Sequence, residues 1–219
     1  MTSPQASASA SASGVLVLPV GATEQHGPHL PLTTDTDIAV ALGQRLAAAV
    51  PGVVVAPPLA YGSSGEHQDF PGTLSIGGPA TEEVLVELGR SASGTWSRLL
   101  LLCCHGGNVA AVGGAVRRLR EEGRDARAWF PRWDGDAHAG HVETSIMMAL
   151  APERVERARA EVGDRRPLAA IATDLRRGGV AAVSPNGILG DATTADADAG
   201  RVLLAEATAD LATVVREWA

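Results

Sequence analysis

The sequence predicts an α/β fold in which a mostly parallel sheet is covered by helices on both faces. Three observations lead there. The apolar runs VLVLPV (15–20), VVVA (53–56) and RLLLLCC (98–104) are continuous rather than alternating, the pattern of strands buried on both faces. Helix-like segments separate these runs. No solenoid repeat or linker divides the chain, and 219 residues can bury a substantial core, so residues 14–219 read as one domain.

The elements follow in order. After the strand at 15–20, residues 37–50 have helical spacing with Ile38, Leu42, Leu46 and Ala49 on the apolar positions. A short strand at 53–56 precedes a helix at 81–90, opened by the N-cap candidate Thr81 and the early acids Glu82 and Glu83. The strand at 98–104 leads to a helix at 108–122, with Asn108 as its candidate N-cap, Arg117, Arg118 and Arg120 near its end, and Gly123 to stop it. A strand at 126–130, a helix starting near His138 and a terminal helix at 198–218 complete the chain. Residues 1–13, rich in Ala and Ser, read as a disordered tail; they lack the charged and apolar regions of a signal peptide.

Composition excludes several functions. The net charge of −7 gives no reason to expect nucleic acid or an anionic membrane as partner. No apolar run approaches the ~20 residues of a membrane span. The two cysteines are adjacent, Cys103 and Cys104, and cannot form a disulfide framework, which suits a reducing cytoplasm. All 18 basic residues are Arg, so Schiff-base chemistry, a Ser–Lys dyad and a P-loop lysine are excluded.

The six histidines fall into four short segments, around 24–29, 66–67, 105–108 and 138–143, each also holding Gly or an acid. Carboxylates and imidazoles are ligands of Zn²⁺, Fe²⁺ and Mn²⁺. In open α/β sheets, ligands bind beyond the carboxyl ends of the strands. Glu24 and His26 follow the first strand, Asp35 precedes the helix after it, and His105 ends the third, so the sequence expects them to meet on one edge. Glu24 and His26, two apart, share a face in an extended loop, and Asp35 could bridge two metals. Glu143 is a further candidate ligand, with an acid favoured by a helix dipole as its alternative. A thiol nucleophile at Cys103 or Cys104 beside His105 competes with a reading of both as buried small hydrophobes. The pieces Gly62–Gly65 and Gly77-Gly78 match neither phosphate-binding fingerprint.

These residues resemble the creatininase family. The resemblance rests on GATEQHGPHLPLTTD (21–35), GEHQDFPGTLS (65–75), HGGN (105–108) and HAGHVETS (138–145). Within the family the likeness is greatest to the creatininase-like peptidases of the mycofactocin system, through AYGSSGEHQ (60–68), RRGGVAAVS (176–184) and GILGDATT (187–194). The resemblance implies a three-layer α/β/α sandwich, a homo-oligomer and a site with two divalent metal ions, Zn²⁺, Fe²⁺ or Mn²⁺. Glu24, His26, Asp35 and His105 would be metal ligands with Asp35 bridging. Where creatinine-hydrolysing members carry a Glu ligand two residues after that histidine, this chain has Gly107, so Glu143 is taken as the fifth ligand. Cys103-Cys104 replaces the Asn-Gly usual before His105. The activity implied is removal of a C-terminal Val-Tyr dipeptide from a modified precursor peptide. Water activated at the metals would attack the amide carbonyl, and His138 would move a proton to the leaving amine. Glu66 is a second catalytic candidate, His67 a substrate-binding one, and Arg176 or Arg177 would read the terminal carboxylate. The alternatives are a small cyclic-amide or formamide hydrolase, and a metal-dependent binding module without turnover.

Overall fold

A computed structural model describes residues 14–218; the tail expected at residues 1–13 lies outside them. Four strands, β1 (Val15–Val20), β2 (Val53–Val55), β3 (Arg98–Cys103) and β4 (Asp125–Trp129), form one sheet in the order β2-β1-β3-β4. All three pairings are parallel, as the continuous apolar runs predict. The helices are α1 (Thr34–Ala49), α2 (Gly78–Ala92), α3 (Val109–Glu121), α4 (His141–Leu150), α5 (Leu168–Gly178) and α6 (Ala197–Trp218).

Strand alternation divides the core into two layers. Val15, Val17, Leu100 and Leu102 pack with Ile38, Leu42 and Leu46 of α1, Ile146 and Met147 of α4, and Leu204, Leu211 and Val215 of α6. Leu16, Leu18, Leu99, Leu101 and Cys103 face the other way, onto Leu85 and Val86 of α2 and Val112, Ala115 and Leu119 of α3. The result is a three-layer α/β/α sandwich.

Several boundaries differ from expectation. α1 starts three residues earlier than the apolar spacing indicates, because Asp35 and Asp37 occupy its first turn, where the dipole favours acids. α2 also starts early, at Gly78 with Pro79 in its first turn. Thr81 is therefore inside the helix and donates its hydroxyl back to the Gly77 carbonyl instead of capping. Asn108 occupies the cap position of α3 without capping it. Its amide instead donates to the Gly21 carbonyl and accepts from the Ser63 N–H, tying together the loops after β1 and β2. α5 has no counterpart among the expected elements. Only Ile171 of it is buried, so it carries a weak apolar signal, and Gly179 at φ 65° ends it.

Val20 pairs with Cys103, so the chain leaves β1 and β3 at the same level. The loop carrying Glu24 and His26 and the one carrying His105 thus emerge side by side over the carboxyl edge. Among the described residues no helix is long and apolar enough to cross a membrane. Leu101 is fully buried at the centre of the α2–α3 layer. Leu101→Ala is expected to lower unfolding stability by about 2–5 kcal/mol, measurable as a reduced urea midpoint with an unchanged slope.

Candidate metal centre

Close packing over the carboxyl edge assembles the centre. A side chain at Gly21 would lie 2.5 Å from the Thr36 backbone, so the loop after β1 rests directly on the first turn of α1. That contact brings Asp35 beside Glu24 and His26. Glu143 comes from the first turn of α4, which Asp136 caps by accepting the His141 and Val142 N–H groups. A side chain on Gly140 or Gly190 would collide with that Asp136 carboxylate. Ala139, at φ 52°, holds a conformation costly for a residue with a side chain, and its N–H donates to Glu143 Oε2 at 2.6 Å.

The five expected ligands converge. His26 Nε2 lies 3.4 Å from Asp35 Oδ1 and 3.7 Å from Glu143 Oε2. His105 Nδ1 lies 3.4 Å from Asp35 Oδ2, and its Nε2 3.2 Å from Glu24 Oε2. Asp35 thus turns one oxygen to each histidine. Two sets able to hold a metal ion follow, Glu24–Asp35–His105 and His26–Asp35–Glu143, sharing Asp35. A third, Glu24–His26–His138, brings His138 close enough to add a ligand atom, with Nδ1 3.7 Å from Glu24 Oε1.

Unsatisfied atoms test the fit to a cation. Both oxygens of Glu24, Asp35 Oδ2 and His26 Nε2 are buried without a hydrogen-bond partner among the described residues. Orphaned buried acceptors of this kind call for an ion or ordered water. Four such atoms directed at one space, on carboxylates and an imidazole, suit a divalent metal. The other nitrogens of His26 and His105 are anchored to the carbonyls of Glu24 and Ser63, at 3.2 and 2.8 Å, the arrangement that orients metal-binding imidazoles.

Electrostatics agree. Burial lowers the pKa of His26, but Asp35, Glu143 and Glu24 outweigh it and hold the ring at about 10. His105 is likewise pulled down by burial and held up at about 10 by Glu24 and Asp35. Glu24 is raised by burial yet kept well below the usual carboxylate range by His105, His67 and His138. Burial, with Asp35 and Glu24 adding to it, pushes Glu143 up to about 7. Without metal, protons on two imidazoles compensate the buried carboxylates.

The other expected residues surround this basin. Glu66 Oε1 lies 3.8 Å from His105 Nε2. It has room because position 107 is glycine: a side chain there would start 2.4 Å from that oxygen and 2.3 Å from the Ser63 carbonyl. His67 Nε2 is 3.4 Å from Glu24 Oε1. A cavity of about 420 Å³ opens over Glu24, Glu66, His67, His105 and His138, with a far wall of Leu168, Leu175, Val180, Leu189 and Arg176. Arg177 is not among its lining residues. A second cavity of about 220 Å³ reaches Asp35 and Glu143 past Phe130 and Trp133. Cys103 is buried and pushed up to about 12 by that burial, and burial also raises Cys104, so neither supplies a thiolate. His29 bonds Thr144 and His141 bonds Thr194, outside the ligand sets. Sequence reasoning missed Gln25, whose side chain contacts His67, His138, Gly27 and Gly187; only its place between two ligands hinted at a role.

The fold and this basin define a class, an α/β protein with a carboxylate–imidazole divalent-metal site on the carboxyl edge of its sheet. Residues 1–215 match the family described as creatinine amidohydrolase, and the chain belongs to the creatininase family. It is 52% identical over 213 residues to the mycofactocin precursor peptide peptidase of Mycobacterium ulcerans, covering 93% of this chain and 85% of that one. It is 32% identical over 238 residues to the creatinine amidohydrolase of Pseudomonas putida, covering 93% and 89%. A solved manganese creatininase superposes with a TM-score of 0.87 at 28% identity, covering 99% of this chain and 96% of that one. A mutant creatininase of zinc–zinc type gives 0.83 at 27%, covering 99% and 95%. The protein is a hydrolase acting on amide bonds.

The shared ligand carries one prediction, and the protons on His26 and His105 a second. Asp35→Asn is expected to abolish binding of both ions, and Glu143→Gln to remove one, read as metal per chain by elemental analysis. Retention of two ions by Asp35→Asn would refute the bridging assignment. The second concerns pH. A raised histidine pKa stabilises the metal-free fold fully below the unfolded value, 6.5, and that contribution is lost as pH rises toward 10. The melting temperature of chelator-treated protein should therefore fall from pH 6.5 to 10, and zinc should reverse the fall, since metal binding displaces these protons.

Proposed function

We propose that this chain is a metal-dependent peptidase that releases a C-terminal dipeptide, Val-Tyr, from a modified precursor peptide. The observation that carries the reading is the large cavity: its floor is the ligand basin, and its far wall combines apolar side chains with Arg176. Apolar surface suits two hydrophobic residues, and a guanidinium suits the carboxylate that ends a peptide. The Mycobacterium ulcerans relative, named for a peptide substrate, supports the same class.

Glu24, Asp35 and His105 would hold one divalent ion, and His26, Asp35 and Glu143 the other, either Zn²⁺, Fe²⁺ or Mn²⁺. Bound there, the ions supply Lewis acidity and a water of lowered pKa. His138 Nδ1, 3.7 Å from Glu24 Oε1 and 4.0 Å from Glu143 Oε2, is placed to move a proton between the attacking water and the leaving amine. Glu66 borders the same space and is the second acid–base candidate, and His67 binds substrate. Arg176 receives the terminal carboxylate, and Arg177 is set aside. A cytoplasmic, homo-oligomeric enzyme without nucleic-acid or membrane partners completes the reading.

The test compares peptides ending in Val-Tyr with a free carboxylate and with an amide, using zinc-, iron- and manganese-loaded protein and mass-spectrometric detection. The free-acid peptide should lose its dipeptide, and amidation should slow release. Loss of a charge-assisted pair worth about 1.5–3 kcal/mol predicts that Arg176→Ala lowers kcat/KM roughly 10–100-fold; Arg177→Ala should match wild type. Hydrolysis of small cyclic amides alone would support the activity named for the Pseudomonas putida relative instead, and bound metal without any turnover would indicate a binding module.

A further inference from the structure

Four histidines border the basin, and one is anchored differently from the rest. His26 Nδ1, His105 Nε2 and His138 Nε2 lie 3.2, 2.8 and 2.9 Å from the carbonyls of Glu24, Ser63 and Gln25. A carbonyl only accepts, so each of these rings donates through that nitrogen; the other nitrogen of His26 and of His105 lies 3.4 Å from an Asp35 oxygen, and that of His138 3.7 Å from Glu24 Oε1. His67 Nδ1 instead lies 2.9 Å from Gln25 Nε2, an amide nitrogen that only donates.

The orientation of that amide is fixed from several sides. Gln25 Oε1 accepts the Gly27 N–H at 2.8 Å, and Nε2 donates to the Gly187 carbonyl at 3.1 Å. Reversing the amide would set oxygen against oxygen and N–H against N–H. Gly187, at φ 77°, leaves the space: a side chain there would start 2.0 Å from Gln25 Oε1. One hydrogen on Nε2 goes to Gly187. His138 Nε2, 3.2 Å away, already donates to the Gln25 carbonyl and cannot accept the second. That hydrogen goes to His67 Nδ1, so the His67 ring carries its own on Nε2, 3.4 Å from Glu24 Oε1 on the cavity wall.

We propose that Gln25 is a positioning residue that holds His67 and His138, with ring centres 4.5 Å apart, in opposite senses. His138 presents a lone pair to the basin, and His67 presents an N–H beside Glu24, 3.4 Å from its Oε1, for a substrate oxygen. His67 is thus a hydrogen-bond donor and not a metal ligand. Its effect on turnover rests on the peptidase reading; the ring assignments do not.

The experiment is long-range ¹H–¹⁵N correlation NMR on zinc-loaded, full-length protein labelled with ¹⁵N-histidine. His67 should show Nε2–H with bare Nδ1, and His138 Nε2–H with Nδ1 toward the metals. A His67 ring protonated on Nδ1, or a bare Nε2 shifted by zinc, overturns the proposal. Gln25→Glu replaces the donor with an acceptor and should move the His67 hydrogen to Nδ1. Outer partners of metal-site residues are worth roughly 10–100-fold, so kcat on the Val-Tyr peptide should fall by that factor with KM and zinc content little changed. An unaltered kcat with the hydrogen moved would overturn the role in turnover. If Gln25→Glu does not fold, the wild-type spectrum still decides the assignment. If wild type cleaves no peptide, the peptidase reading fails while the spectrum still tests Gln25.

Discussion

Burial of Glu24 and Asp35 is the constraint on which the rest of the structure depends. Both carboxylates lie within 1% of complete burial, and their ion-pair partners among the described residues are imidazoles alone. An ionised carboxylate removed from water costs several kcal/mol unless compensated. Protons on His26 and His105 compensate in part, and a divalent cation would do so with ligand atoms already aimed at it. The same geometry explains why the sandwich tolerates orphaned acceptors at its edge.

That constraint sets the local backbone. Gly21, Gly107 and Gly187 sit where a side chain would collide with Thr36, Glu66 or Gln25, so each allows an approach that the basin requires. Ala139 accepts a left-handed conformation between His138 and Gly140, where its N–H holds Glu143. Strain of about 1–2 kcal/mol there is small beside the cost of an unpaired buried carboxylate. Rigid strands supply none of the ligands; they deliver the loops and helix starts that do.

The histidines of the basin are anchored in two ways. Once a metal displaces the protons on His26 and His105, the three histidines anchored to carbonyls would face inward with lone pairs, while His67, anchored to an amide donor, faces inward with a hydrogen. α5 and the segments around Val180 and Leu189 line the same cavity, Val180 and Leu189 being bonded through the backbone to Glu66 and His138. α5 is mostly exposed and buries only Ile171.

The sequence by itself determined the parallel sandwich, because strands buried on both faces must be continuously apolar and their connections must be helical. It also led to Glu24, His26, Asp35, His105 and Glu143 as candidate ligands, through the carboxyl edge and the family resemblance, and their side chains meet there. α5 stayed hidden because a surface helix with one buried residue leaves little periodic signal. The capping expectation for Thr81 failed because the helix starts earlier, at Gly78, and that for Asn108 because its amide serves Gly21 and Ser63 across the fold. Only the tertiary structure separated Arg176 from Arg177, since that depends on helix rotation against a cavity. Only it gave His67 and His138 different hydrogen-bond roles, because the direction of a hydrogen bond is set by partners distant in sequence, here Gln25 and Gly187. Ligand type is a local property written in the chain; the sense in which each ligand points is decided by packing.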